Sequence, residues 1–495
     1  MRRAHLFALL ATLSAVSSAT AQSWRLRLNA AAQRVEFRGL TSDSVPLSAV
    51  TKGPDGGPVA GGYAVTCSPN GYCYFYRSGP LLTGLPATGG MDLTMWGLGV
   101  TGLSVRVSVR TSFDINGARV WPGTAQAFSV LEGYGEYLRD HWTIQAGRML
   151  ERGRLASVGT SGLDGARITT RLANDAVEVG AYAGWGFARG SVLLVNSPAV
   201  DPLAEYQPGS RQVVVGLLGG WHTSRLDAQG EYRREIDPVT NYMVSERAAL
   251  SITARPSAPW RVTVNGDYDM AMAAWGSADV ATSYTTPQMT ATFGARHYRP
   301  FFDLWTVWGV FSPVPYNGVS GSLSINPVKT VQLRGRAEWY RYDAAEVSSP
   351  QVTLKDRGWR WQLEGAVSPL AQWTVTATGH GELQPGASSS GVDAHVAWRP
   401  REQLGLGVEG GMLERPLELR FQDAGVRYVG GSADYRPDDR WRVGVSLNRY
   451  WESRDRPDAQ AIDWNQWRVS ARVSLTLRSD ADRWLPPARP AAGTP

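Results

Sequence analysis

Along most of the chain, apolar and polar residues alternate one by one. In WRVSARVSLTL (467–477), Trp467, Val469, Ala471, Val473, Leu475 and Leu477 share one face, and Arg468, Ser470, Arg472, Ser474 and Thr476 share the other. A period of two marks an extended strand with one greasy and one wet side. The same alternation runs through GLSVRVSVR (102–110) and returns at 260–267, 331–339, 359–367, 373–380 and 441–448. Helical period is absent, and no apolar run beyond the first 21 residues reaches the ~20 residues that a transmembrane helix requires.

A slower rhythm lies over the first. Prolines 256, 300, 327, 369, 400 and 437 precede strands at steps of 44, 27, 42, 31 and 37 residues. Each step fits two strands, a short turn and one longer polar loop. Short turns on one side and long loops on the other are the pattern of an up-and-down transmembrane barrel, with the aromatic after each turn in an interfacial girdle. Counting by this rule gives twelve strands after Pro256 and eight from Gly102 up to it. The expected fold is all-β: a transmembrane antiparallel up-and-down β-barrel of about 18–20 strands, with 16 as the lower bound. A propeller or sandwich array also has many short strands. Uneven steps and an apolar face on nearly every strand weigh against it.

The ends divide the chain further. Residues 1–21 read as a signal peptide: Arg2 and Arg3, an apolar run from Leu6 to Val16, then Ala19-Thr20-Ala21 before the cut. Export through it leads to the outer membrane of a Gram-negative cell. Residues 22–100 are expected to form a small β-rich segment, either periplasmic or plugging the lumen, and 101–478 the barrel. The tail 479–495 is rich in Pro and Ala and reads as disordered.

Composition sharpens this picture at three points. The 20 tryptophans suit a chain with wide interfacial belts. The formal charge of +6 is too small to argue for nucleic acid. The only cysteines, Cys67 and Cys73, flank Pro69-Asn70-Gly71, a tight turn. Outside the cytoplasm, a disulfide clip across that turn is the expected state, stabilising by about 2 kcal/mol on a chain-entropy argument.

Sites of chemistry are scarce. Gly97, Gly99, Gly102 and Gly405, Gly407, Gly410 each match G-x-G-x-x-G, but neither run precedes a helix, so both read as small residues in strands. His222, His380 and His395 stand singly on strands. No enzyme, metal or cofactor is expected. The charges opposite the apolar faces are the functional handle: Arg106, Arg110, Arg261, Arg334, Arg336, Arg360, Arg442, Arg468 and Arg472, against Glu132, Glu136, Glu338, Glu364, Glu409 and Asp267. Such rows on a lumen wall create a transverse field that orients hydrated solutes, and a positive excess favours anions. Pairing of neighbours to stiffen the wall is the plainer role.

One stretch carries a resemblance. Gly147-Arg148, a loop, and Asp164-Gly165-Ala166-Arg167 resemble the early strands of porin-like outer-membrane proteins, including the alginate-export type. The resemblance implies a large barrel with an arginine-bearing lumen, set in outer-membrane lipid and passing hydrophilic solutes, anions among them, by passive diffusion. Loops 189–208 and 343–357 are candidates for inward constrictions. The alternative is a barrel that sheathes a periplasmic protein partner such as a multihaem cytochrome.

Overall fold

The computed structural model describes residues 23–53, 56–61, 63–116, 128–152, 160–189, 212–299, 315–343, 357–384, 387–416, 423–454 and 465–479. The expected signal peptide, both constriction loops beyond their edges, and the tail from 480 lie outside them. Twenty-two antiparallel strands close one barrel, and the described residues contain no α-helix. From Leu103–Asp114 to Gln466–Arg478 each strand pairs with its successor in sequence. The seam is made by the first strand, Ser23–Pro46: Arg25 to Arg34 pair with Arg478 to Val469, and its other edge pairs with Pro86–Trp96.

These pairings correct the expected 18–20 strands. Residues 101–478 supply twenty strands. The two others are Ser23–Pro46 and Pro86–Trp96, so the part expected as a periplasmic or plug segment supplies wall on both sides of the seam. Its remainder is a ribbon that continues the wall upward: Val35 to Pro46 pair with Gly84 to Tyr72 beyond the last barrel contact of the first strand. The ribbon ends in a small knob in which Thr51–Lys52, Pro58–Ala60 and Tyr63–Ala64 form a three-stranded sheet. Ala60, Val65 and Cys73 are its core, with Val45, Val50 and Phe75 packed against them. Cys67 and Cys73 are disulfide-bonded and stand directly opposite each other across the turn, in which Gly71 has φ +84° and Asn70 Oδ1 accepts the Tyr72 N–H.

The proline rhythm has a hydrogen-bond explanation. Arg255, Asn326, Ser368, Arg399 and Arg436 each donate the last backbone bond to a carbonyl at the adjacent turn, at 2.7–2.8 Å, and each is followed at once by proline. Proline has no N–H to leave unpaired, so it ends the ladder without cost. At Pro256, Pro327, Pro369 and Pro400 the register also shifts by one residue, a bulge of the kind in which proline is tolerated. The next strand starts four residues after each, at Trp260, Val331, Trp373 and Leu404. Pro300 departs from this scheme and lies outside the described residues. The strand Met289–Tyr298 runs towards the opposite rim, and the short-turn proline of that region is Pro287. The glycines 97, 99 and 102 also differ from the reading as strand residues: they occupy a turn, with φ +71°, +79° and +85°.

Strand alternation places the large apolar residues outward. Leu363, Val408 and Phe293 are each about 60% exposed, as lipid-facing residues are when only protein is present. Near the short turns Trp260 packs on Tyr284 and Trp373 on Trp398, with ring centroids 5.0 and 5.3 Å apart. Towards the other rim Trp451 and Trp467 flank Arg449. From Trp441 to Trp451 along one outward face, ten residues of strand tilted by about 40° span about 25 Å, the height of an outer-membrane apolar band.

Because the knob has its own core and shares only the ribbon with the wall, Cys67→Ser/Cys73→Ser should loosen the knob alone. The expected result is protease cleavage between 47 and 71 with unchanged heat-modifiable migration of the refolded barrel, read by electrophoresis.

Candidate functional site: the inner wall

Twenty-two strands about 4.8 Å apart and tilted by about 40° give a circumference of about 138 Å and a diameter of about 44 Å between opposite backbones. Side chains cannot meet across such a lumen, so its chemistry is set arc by arc.

The arc from Met289–Tyr298 to Trp373–Gln384 centres on Glu338, whose side chain is only 1% exposed. Arg360 Nε donates to Glu338 Oε2 at 2.8 Å, and Arg336 stands 3.7 Å from the same oxygen. Arg296 NH2 lies 2.6 Å from Oε1, off the axis of a hydrogen bond, so that contact is coulombic. Three guanidinium groups thus share one carboxylate. Tyr298, Tyr316, Tyr340 and Tyr342 gather beside them, with Arg296 5.0 Å over the Tyr316 ring and Arg360 5.6 Å over that of Tyr340. Gly358 makes room: a Cβ there would stand 2.6 Å from the Tyr340 ring. Tyr340 donates to Glu382, and Arg334 pairs with Glu364 at 3.4 Å.

The arc across the seam is arginine-rich. Asp434 accepts from Arg442 Nε and from Arg472 NH2, both at 2.9 Å. Arg472 reaches it over Gly444, where a Cβ would stand 2.6 Å from its Nε. Arg468 lies 4.7 Å over the Tyr450 ring. Arg106 pairs with Glu132 at 2.9 Å, and Gln145 donates to Glu136 at 2.6 Å. Arg110 stands in register with Gly90, Arg261 with Ser283 and Glu409 with His395. All fifteen charged residues expected on the wet face, Asp267 among them, therefore carry inward parity. They divide between two arcs, with Arg261, Glu409 and Asp267 apart from either charge cluster.

Two inner features escaped the sequence reading. Met149, Leu163, Tyr182, Val214 and Leu218 form a buried apolar cluster on inward positions, so this part of the wall is not a wet surface. Tyr182 covers Gly216 and donates to Glu231 at 2.7 Å. Beside it Glu231, Arg233, Glu235, Arg247, Asp267 and Asp269 are all buried, with Arg233 on Glu235 at 2.8 Å and Arg247 on Asp267 at 3.0 Å. Parity places Asp267 inward in NGDYD, as expected, and could have placed the charges of EYRREI the same way; nothing in the spacing announces their burial. Arg296 and Asp434 were legible in the same way.

The Gly-Arg and Asp-Gly pieces of the resemblance meet in space. Arg148 forks Asp164 through Nε and NH2, both at 2.7 Å, on adjacent strands. Gly147, at φ +127°, lies opposite Gly165.

Neither a protein-family model nor a curated protein matches the chain. Solved structures do. A variant of the ferric enterobactin receptor PfeA of Pseudomonas aeruginosa superposes with TM-score 0.52 and 10% identity, over 91% of this chain and 80% of its own. OccAB4 of Acinetobacter baumannii gives 0.41 and 7%, and OpdQ of Pseudomonas aeruginosa 0.41 and 8%, each over 92% of this chain and 98% of theirs. At such identities the likeness is one of fold. With its closed wall, apolar outer band and charged inner face, the chain has the fold of an outer-membrane β-barrel.

Removing the shared carboxylate should be costly. Glu338→Gln leaves three arginines facing one another and is expected to lower stability by about 3 kcal/mol. The check is the urea midpoint of the protein refolded in lipid, with Glu364→Gln, at a more exposed pair, shifting it far less.

Proposed function

We propose that the protein is a channel for passive diffusion of hydrophilic solutes with a preference for anions. One observation carries the reading: in the two charged arcs of the inner wall each arginine is more exposed than the carboxylate it pairs with. Side-chain exposure is 66% for Arg472 against 23% for Asp434, 53% for Arg334 against 25% for Glu364, 50% for Arg106 against 13% for Glu132 and 37% for Arg360 against 1% for Glu338. A solute in the lumen meets positive charge even where the formal charges nearly balance. Local field, not net charge, sets selectivity in such a wall.

Orientation follows from loop length. Short turns face the periplasm and long loops the outside in barrels of this construction. The first and last described residues, Ser23 and Ser479, and the proline turns share one rim, and the disulfide knob stands at the other, so the knob is displayed outside the cell. An epitope inserted after Gly56 should be reached by antibody on intact cells; staining only after the outer membrane is permeabilised would reverse the orientation.

The channel itself is tested in a planar bilayer under a salt gradient. The expected reversal potential shows anion preference, which Arg334→Glu/Arg336→Glu should reduce or invert. A correctly folded barrel that stays electrically silent would sink the channel reading and favour a barrel that sheathes a partner protein.

A further inference from the structure

The barrel seam brings together residues from opposite ends of the chain. Arg442 is in register with Ser474, Ser474 with Asn29, Asn29 with Gly90 and Gly90 with Arg110. All five are inward, because Trp441, Val473, Leu28, Met91 and Val109 hold the alternate positions. The result is one row across five strands, with an arginine at each end and serine, asparagine and glycine between. Four strand spacings put the end residues about 19 Å apart. Arg442 leans away from the row towards Asp434, held through Nε alone, so its terminal amino groups take no part in that bond. Arg472, one register step above, leans the same way over Gly444. Between these two and Arg110 lies a recess of about 450 Å³, floored by Asn29, Gly90 and Ser474. The one acid lining it, Asp92, accepts from Ser108 at 2.7 Å.

We propose that this recess binds a compact organic dianion, with one oxyanion group on Arg110, the other on the Arg442/Arg472 pair, and a polar middle on Asn29 and Ser474. The volume suits a small metabolite. Positive groups on both sides, set too far apart for one carboxylate to touch both, select two charges several ångströms apart. Guanidinium forks suit carboxylates, and Asp434 holds two of the three in place before the ligand arrives. At Gly90 an added Cβ would meet nothing closer than 3.7 Å, so the wall tolerates a side chain there, and a long one would fill the middle of the floor. The inference rests on the channel reading only for its physiological use: a binding site in the lumen raises the local concentration of the solute that passes.

Titration calorimetry of the refolded full-length protein with acetate, succinate and adipate provides the test, since it does not depend on an open pore. Succinate or adipate should bind at least tenfold more tightly than acetate, with at least tenfold loss in Arg110→Gln. Gly90→Leu should give the same loss with every charge retained, which keeps the test intact if Arg110→Gln does not refold. Equal affinity for all three acids, or dianion binding unchanged in Gly90→Leu, would overturn the site. An anion-selective pore without dianion preference would remove the site and leave the channel. Dianion binding by a barrel without anion selectivity would do the reverse.

Discussion

In hydrocarbon, a backbone N–H or C=O without a partner costs several kcal/mol, and no water is there to supply one. Everything in this wall answers to that demand. Twenty-two strands satisfy each other's edges only because the first also pairs with the last, ten residues against ten. Where the ladder must end, at the short-turn rim, proline removes the donor that would have been stranded. The closed sheet leaves two faces, and the period of two then sorts apolar side chains to lipid and charged ones to the lumen.

A wide lumen creates its own difficulty. Inward charges have no opposite wall to pair with, so they pair sideways, along the sheet. Glu338 and Asp434 each gather arginines from neighbouring strands, and small residues at Gly358, Gly444 and Gly216 let long side chains lie flat on the wall. These sideways networks treat the two charges unequally. They bury the carboxylates, which are short, and leave the guanidinium groups, on longer stems, at the surface.

Most of this wall is legible in the sequence, because a half-buried strand in lipid must alternate. All twenty strands from Leu103 onward are recoverable from period and turns. The two seam strands are harder. Ser23–Pro46 alternates only as far as Leu28, then passes through Ala30-Ala31-Ala32, which has no polarity contrast, and continues beyond the wall as the ribbon, with a register shift between Arg38 and Leu40. Pro86–Trp96 does alternate, at Met91, Leu93 and Met95, but behind a stretch rich in Gly and Pro that reads as loop. Pro300 misleads for a different reason: proline ends a strand at either rim, and only the pairing tells which. Inward parity of the arginines was likewise readable. Which carboxylates they cover was not, since that depends on diagonal reach across two or three strands.

The seam also bears on how the barrel forms. Trp24 donates its backbone N–H to Ser479 Oγ, a contact across 455 residues, whereas every other wall pairing joins strands close in sequence, save that of the first strand with Pro86–Trp96. Loop-closure entropy grows as the logarithm of length, so bringing these ends together costs about 3 kcal/mol more than closing a ten-residue hairpin. Nineteen or more neighbouring pairs can zip locally before that cost is met, leaving an open, curled sheet with two raw edges as the natural precursor. The arginine row across Arg442, Ser474, Asn29, Gly90 and Arg110 does not exist in such a precursor. Its assembly coincides with the single event that turns a sheet into a closed barrel.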